Sequence, residues 1–150
     1  VFNGVLAGLL VGVCLAGCSS APPVTFSRYQ YSCCDASDVQ RVWHPGETLT
    51  MHWTAQSAVT TDSTTQMLTL TASLSGPYAD VNAVKGGGAA STTLRAAPLS
   101  VSNATASSPV SVIALPAGLA PGFYDLTGTV AAPGSQSGGS SIIQVAPAAT

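Results

Sequence analysis

Residues 66–74 read Gln66-Met67-Leu68-Thr69-Leu70-Thr71-Ala72-Ser73-Leu74. Leu68, Leu70, Ala72 and Leu74 occupy every second position, and Thr69, Thr71 and Ser73 fill the gaps. A period of two belongs to a strand with one buried face, because successive side chains leave a strand on opposite sides. A helix would repeat its apolar residues at three and four. The stretch therefore predicts a strand with the four apolar residues turned inward.

The same pattern recurs on either side. Thr48 to Thr54 places Leu49, Met51 and Trp53 on one face and Thr48, Thr50 and His52 on the other, after the turn signal Pro45-Gly46. Val110 to Leu115, Phe123 to Val130 and Ser141 to Val145 predict three more strands, and Val24 to Tyr31 and Val39 to Trp43 two earlier ones. Turn-rich stretches separate them at 60–65, 86–88, 103–108, 116–122 and 133–139. No window beyond the N-terminal run carries a helical period. Short strands divided by turn signals predict an all-β fold, an antiparallel sandwich or barrel.

The first residues follow another rule. Gly4 to Gly17 form an uninterrupted apolar run, and no charged side chain precedes Arg28. The run has the length of a signal-peptide core and falls short of the ~20 residues that span a bilayer. Leu15-Ala16-Gly17-Cys18 closes it and resembles the lipobox of bacterial lipoproteins. That resemblance implies a signal-peptide helix over 1–17, cleavage before Cys18, lipid on the Cys18 thiol, and a location on the extracytoplasmic face of the cell membrane. Cys14 is a poorer match, because bulky Val13 precedes it. Signal peptides usually open with Lys or Arg; Val1-Phe2-Asn3 fits an alternative start codon or basic residues upstream. Residues 18–25, with Ser19-Ser20-Ala21-Pro22-Pro23, predict a lipidated tether, since Pro-rich segments stay extended. Residues 26–150 are left for one domain.

Composition narrows the function. The 150 residues carry 4 basic and 6 acidic side chains, a formal net charge of −2, and 7% charged residues in all. Nucleic-acid binding requires a phosphate-neutralising patch, and this chain has a single lysine and no basic cluster. A basic patch for a membrane surface is excluded on the same ground. Polarity comes from Ser, Thr, Asn, Gln and Gly, while 46% apolar residues support a packed core. The Ala-, Gly- and Thr-rich, Lys-poor style suits a high-GC bacterium such as an actinobacterium.

A second resemblance concerns the fold. Ala120-Pro121-Gly122-Phe123-Tyr124-Asp125-Leu126 resembles the segment leading into strand F of immunoglobulin-like domains, where a tyrosine bonds its hydroxyl to nearby backbone. Pro45-Gly46-Glu47-Thr48-Leu49-Thr50 is similar to the start of strand B in bacterial domains of that kind. Leu126 stands where antibody domains have their second disulfide cysteine, so that bridge is missing. The resemblance implies an immunoglobulin-like antiparallel β-sandwich and says nothing about activity.

Few residues suggest chemistry. Cys33-Cys34 are adjacent; they read as a vicinal disulfide, as inert thiols, or as metal-binding or dimer-bridging groups. Cys33 and Cys34 with His44, His52, Met51 or Met67 form the soft ligand set that suits Cu(I), which makes a copper-binding envelope lipoprotein the alternative reading. Alternation sends Met51 and His52 to opposite faces, so they would not chelate together. Trp43, Trp53, Tyr29, Tyr31 and Tyr78 are candidate stacking groups for a sugar, with Trp43 and His44 the expected exposed ligand surface. No GxSxG or SxxK motif marks a nucleophile. Asp35 and Asp38 read as a solvated turn rather than an acid/base pair. Gly86-Gly87-Gly88 lacks the Lys-Ser/Thr of a phosphate loop. Asn103-Ala104-Thr105 fits a glycosylation sequon that a bacterial lipoprotein would rarely use. The expectation is a non-enzymatic protein with no cofactor, anchored to the membrane through Cys18 and bound to an envelope protein or glycan.

Overall fold

A computed structural model describes residues 20–148. The segment expected to be a signal peptide, Cys14, and Cys18, the expected lipidation site, lie outside the described residues. In chain order the elements are β1 (Phe26–Ser32), α1 (Ala36–Val39), β2 (Val42–Trp43), β3 (Thr48–His52), β4 (Thr54–Thr60), β5 (Met67–Tyr78), α2 (Val81–Lys85), β6 (Thr92–Arg95), β7 (Leu99–Ser102), β8 (Val110–Ala114), β9 (Gly122–Ala132) and β10 (Ser135–Val145). The fold is mostly β, as the alternation predicts, and no helix among the described residues is long and apolar enough to cross a membrane.

The largest sheet runs β2-β10-β9-β5. The far edge of β5 is shared by β6, against Ser73–Gly76, and β7, against Met67–Leu70. β3 pairs with β8, and β1 with β4. Only Trp53 separates β3 from β4, so one line of chain pairs first with β8 and then with β1. The largest sheet is mixed, not purely antiparallel as the sequence predicts, because Gln144 and Val145 of β10 run parallel to Val42 and Trp43 of β2.

The core lies where the predicted inward faces meet. Leu49, Met51 and Trp53 pack with Leu68, Leu70, Ala72 and Leu74 of β5, with Tyr124 and Leu126 of β9, and with Ile143 and Val145 of β10. Tyr124 donates its hydroxyl to Ala120 O at 2.7 Å, the backbone bond that the APGFYDL segment implied.

Three expectations need correction. The strand expected over Val39 to Trp43 shrinks to two residues, because α1 takes 36–39. There Asp35 caps the helix by accepting the Ser37 N–H, a local bond that competes with strand pairing. The turn expected over 133–139 is confined to Pro133-Gly134. Proline fixes φ there, Gly134 takes the φ of +78° that a type II turn requires, and residues 135–139 continue as strand against β9. Pairing with a long neighbour overrides the low strand propensity of Ser and Gly. A second unpredicted turn of helix, α2, starts where Asp80 Oδ1 accepts the Ala83 N–H.

Candidate functional site

β1 ends at the paired cysteines. Cys33 and Cys34 are joined in a disulfide, and the peptide between them is cis. A bridge between neighbours closes almost no chain, so it restricts the unfolded state little and its effect is local. β9 makes room for it with Gly128. A Cβ at that position would stand 2.6 Å from Cys33 Sγ and 3.0 Å from the Trp53 ring. Across from it, Gly139 O on β10 lies 3.8 Å from Cys33 Sγ. Together with Tyr31 and Ser137, these groups line an open-sided chamber of about 230 Å³.

The chamber shares Tyr31, Val130 and Ser137 with a larger cleft of about 430 Å³. This cleft has a topological origin. β1 pairs with β4, while the edge of β10 away from β9 meets a strand only at Gln144 and Val145. The seam between β1 and the first half of β10 is therefore bridged by no strand among the described residues. Tyr29 and Tyr31 of β1 form one wall, Ser135 to Ser137 another, and Gln66 and Asn103 close the end.

Local bonds hold these walls. Tyr29 N donates to Asn103 O at 2.8 Å, and Gln66 N to Asn103 Oδ1 at 2.9 Å. Tyr31 Oη lies 2.7 Å from Ser107 Oγ and donates to Thr105 O. The one charged wall residue, Arg28, donates to Thr64 O and Ser27 O and stacks over Phe26 at 5.2 Å. The other lining groups are neutral: phenol rings, amides and hydroxyls, with the aliphatic Leu68, Val130 and Ala132 among them. A depression of about 440 Å³ on the outer face of β5 and β9 has no aromatic wall.

The predicted surface at Trp43 and His44 is arranged differently. Trp43 is 2% exposed, a core residue, and its indole N–H donates to Asp38 O at 3.2 Å. It is buried because parallel pairing with Val145 turns it toward Ile143 and Leu49, within the core cluster. Arg41 lies over its ring, 4.2 Å from the centroid. His44 is partly exposed and gives its backbone N–H to Glu47 Oε2 at 2.7 Å. That bond, with Arg41 on the other carboxylate oxygen at 2.6 Å, holds the Glu47 carboxyl below the usual glutamate range.

Asp35 lies on the exposed turn that the sequence suggested, and the Ser37 hydroxyl and N–H lower its pKa. Asp38 does not: it is 5% exposed, and its carboxylate accepts the His52 N–H at 2.7 Å and faces His52 Nδ1 at 2.9 Å. The half-exposed imidazole is thus oriented by a buried carboxylate. That pair was hidden from the sequence, because Asp38 and His52 are brought together by the α1 turn packing on β3.

The copper ligand set is scattered. The sulfurs are bonded to each other, Met51 is fully buried, His44 sits at Glu47 and His52 at Asp38. No three His, Cys, Asp or Glu side chains among the described residues cluster as metal ligands. Copper binding by Cys33 and Cys34 would first require the disulfide to be opened.

Comparison with protein-family models, with curated proteins and with solved structures finds no match to this chain.

Proposed function

We propose that this chain is a lipid-anchored cell-envelope protein with a non-catalytic role, and that its cleft binds a neutral glycan. The anchor is Cys18, on the strength of Leu15-Ala16-Gly17-Cys18 at the end of the apolar run. The binding reading rests on one observation: the unbridged seam between β1 and β10 leaves a cleft walled by the half-buried Tyr29 and by amides and hydroxyls, with the buried Tyr31 ring at its floor and its single guanidinium bonded to backbone carbonyls. Such walls offer apolar faces to the C–H side of a sugar ring and hydrogen bonds to its hydroxyls, and their one charge, on Arg28, is directed at backbone carbonyls. The domain is read as an immunoglobulin-like sandwich. Its support is the chain switching from β1 on one sheet to β2 beside β10 on the other, and the Tyr124–Ala120 bond.

The test is titration of the full chain in detergent with neutral oligosaccharides, cellotriose and chitotriose, read through the side-chain amide signals of Gln66 and Gln136. Saturable shifts at these two amides are expected. Their absence at millimolar sugar would remove the glycan reading. An intact mass that begins at Cys18 and carries added acyl chains would support the anchor, and an unlipidated chain retaining residues 1–17 would overturn it.

A further inference from the structure

We propose that the chamber at Cys33–Cys34 is the end subsite of the cleft, that it takes the terminal ring of a neutral saccharide, and that it is open only while the two sulfurs are bonded. This rests on the glycan reading of the cleft. It begins from a mismatch: a bridge between adjacent residues contributes little by restricting the unfolded chain, yet the opposite strands are shaped around it. Gly128 leaves the room that Cys33 Sγ occupies, and Gly139, its partner across the strand pair, turns only backbone toward Cys33 where a side chain would crowd the chamber. The result is a chamber with an apolar, polarisable disulfide in one wall and the Trp53 ring beside it.

The decisive group is Gly139 O, 3.8 Å from Cys33 Sγ. A disulfide sulfur carries no hydrogen and gives this carbonyl nothing. A carbonyl has two lone pairs, so the one on the chamber side is open to a ligand hydroxyl. Reduction reverses this. A dithiol reductant attacks one sulfur as thiolate, forming a mixed disulfide and releasing the other cysteine as thiolate. Its second thiol then closes the reductant's own cyclic disulfide. Two electrons and two protons pass to the protein, leaving two thiols. The Cys33 S–H is then within reach of Gly139 O as a donor and competes with the sugar hydroxyl. The separated sulfurs also move apart to non-bonded distance and take up chamber volume.

The full chain, isotopically labelled in detergent, is titrated with cellotriose in three forms: oxidised, reduced by dithiothreitol with thiols counted by alkylation mass, and as C33S/C34S. The variant cannot form the bridge and puts a freely rotating hydroxyl in place of the Cys33 thiol, so it stands for the unbridged state without any reductant. The two tryptophans give two indole N–H signals, of which only Trp53 lines the chamber. In the oxidised protein the Trp53 signal should shift and that of Trp43 should not. In the reduced protein and the variant, the Trp53 response should vanish and affinity fall about tenfold, while Gln66 and Gln136 still respond. Equal affinity and an equal Trp53 response in all three forms would overturn the gate. Shifts at the cleft amides with none at Trp53 in any form would overturn the subsite and leave the cleft reading standing. Silence at both places would remove the cleft reading, and this proposal with it. Unchanged signals from the buried Leu126 and Ile143 show that the fold is kept in each form.

Discussion

The two halves of β10 belong to one strand and behave as opposites. From Ile143 to Val145 it is core: Ile143 and Val145 are buried, and β2 pairs along its outer edge. From Ser135 to Ser140 every residue is exposed, and its outer edge meets no strand among the described residues. β9 pairs with both halves alike. The difference comes from β1, which joins β4 and leaves the first half of β10 uncovered; the chain returns to β10 only at β2. Composition follows topology, Ile-Ile-Gln-Val where the strand is covered and Ser-Gln-Ser-Gly-Gly-Ser where it is not. A polar, glycine-rich edge also discourages another chain from pairing there. The candidate site is thus the consequence of one strand changing partner.

Substitution should separate the halves most sharply. Ile143→Ala removes a fully buried side chain and is expected to cost about 2–5 kcal/mol in urea unfolding. Ser137→Ala on the open half should stay within about 0.5 kcal/mol. Equal costs would mean that the open half is packed in solution, and the cleft would be closed.

The next effect lies at the hinge between the halves, where α1 carries the chain from β1 to β2. Asp38→Ala strips the buried acceptor from the His52 N–H and ring, and a loss of about 2 kcal/mol is expected. A loss under about 0.5 kcal/mol would show that α1 docks without that carboxylate. Smaller again is Tyr124→Phe, which removes only the bond to Ala120 O on the covered side; about 1 kcal/mol is expected in the same assay.

The covered half was legible in the sequence and the open half was not. Leu68, Leu70, Ala72, Leu74, Leu49, Met51 and Trp53 are all buried, because burial of one face imposes a period of two that survives without knowing the partner strand. Tyr124 was legible for a related reason: its role depends on spacing to a backbone four residues away. The stretch 135–139 carries no period, since neither face is buried, and its strand state is imposed by β9. Trp43 looked like surface because its neighbours Arg41, His44 and Pro45 are polar or turn-forming; parallel pairing decided otherwise. Asp38 and His52 lie fourteen residues apart, and nothing local marks them as partners. Of the aromatic candidates, Tyr29, Tyr31 and Trp53 do meet around the cleft and chamber, and Tyr78 instead bonds Gly88 O.

The smallest expected effect is acid-dependent, and it too should divide the halves. Asp35 and Glu47 flank β2 on the covered side, and each is held below its ordinary value, near 3.8 and 4.5, by bonds that only the carboxylate accepts well: first the Ser37 hydroxyl for Asp35 and the His44 N–H for Glu47. A lowered folded pKa gives stability that is present above the ordinary range and is lost as pH falls through the lowered value. Asp35 is exposed and Glu47 partly exposed, so solvent screens the contribution and the fold should persist. The local bonds should not. On acidification the Ser37 and His44 amide signals are expected to move together with protonation of these carboxylates, at pH values below the ordinary ones. Ser137 and Gly139, in a stretch from 135 to 140 without a carboxylate, should stay still. Ser37 and His44 titrating at the ordinary values would mean that the carboxylates are free in solution and that the β2 side is looser than its bonds suggest. Movement of Gly139 in the same range would tie the open edge to the covered one, and the two halves of β10 would no longer be independent.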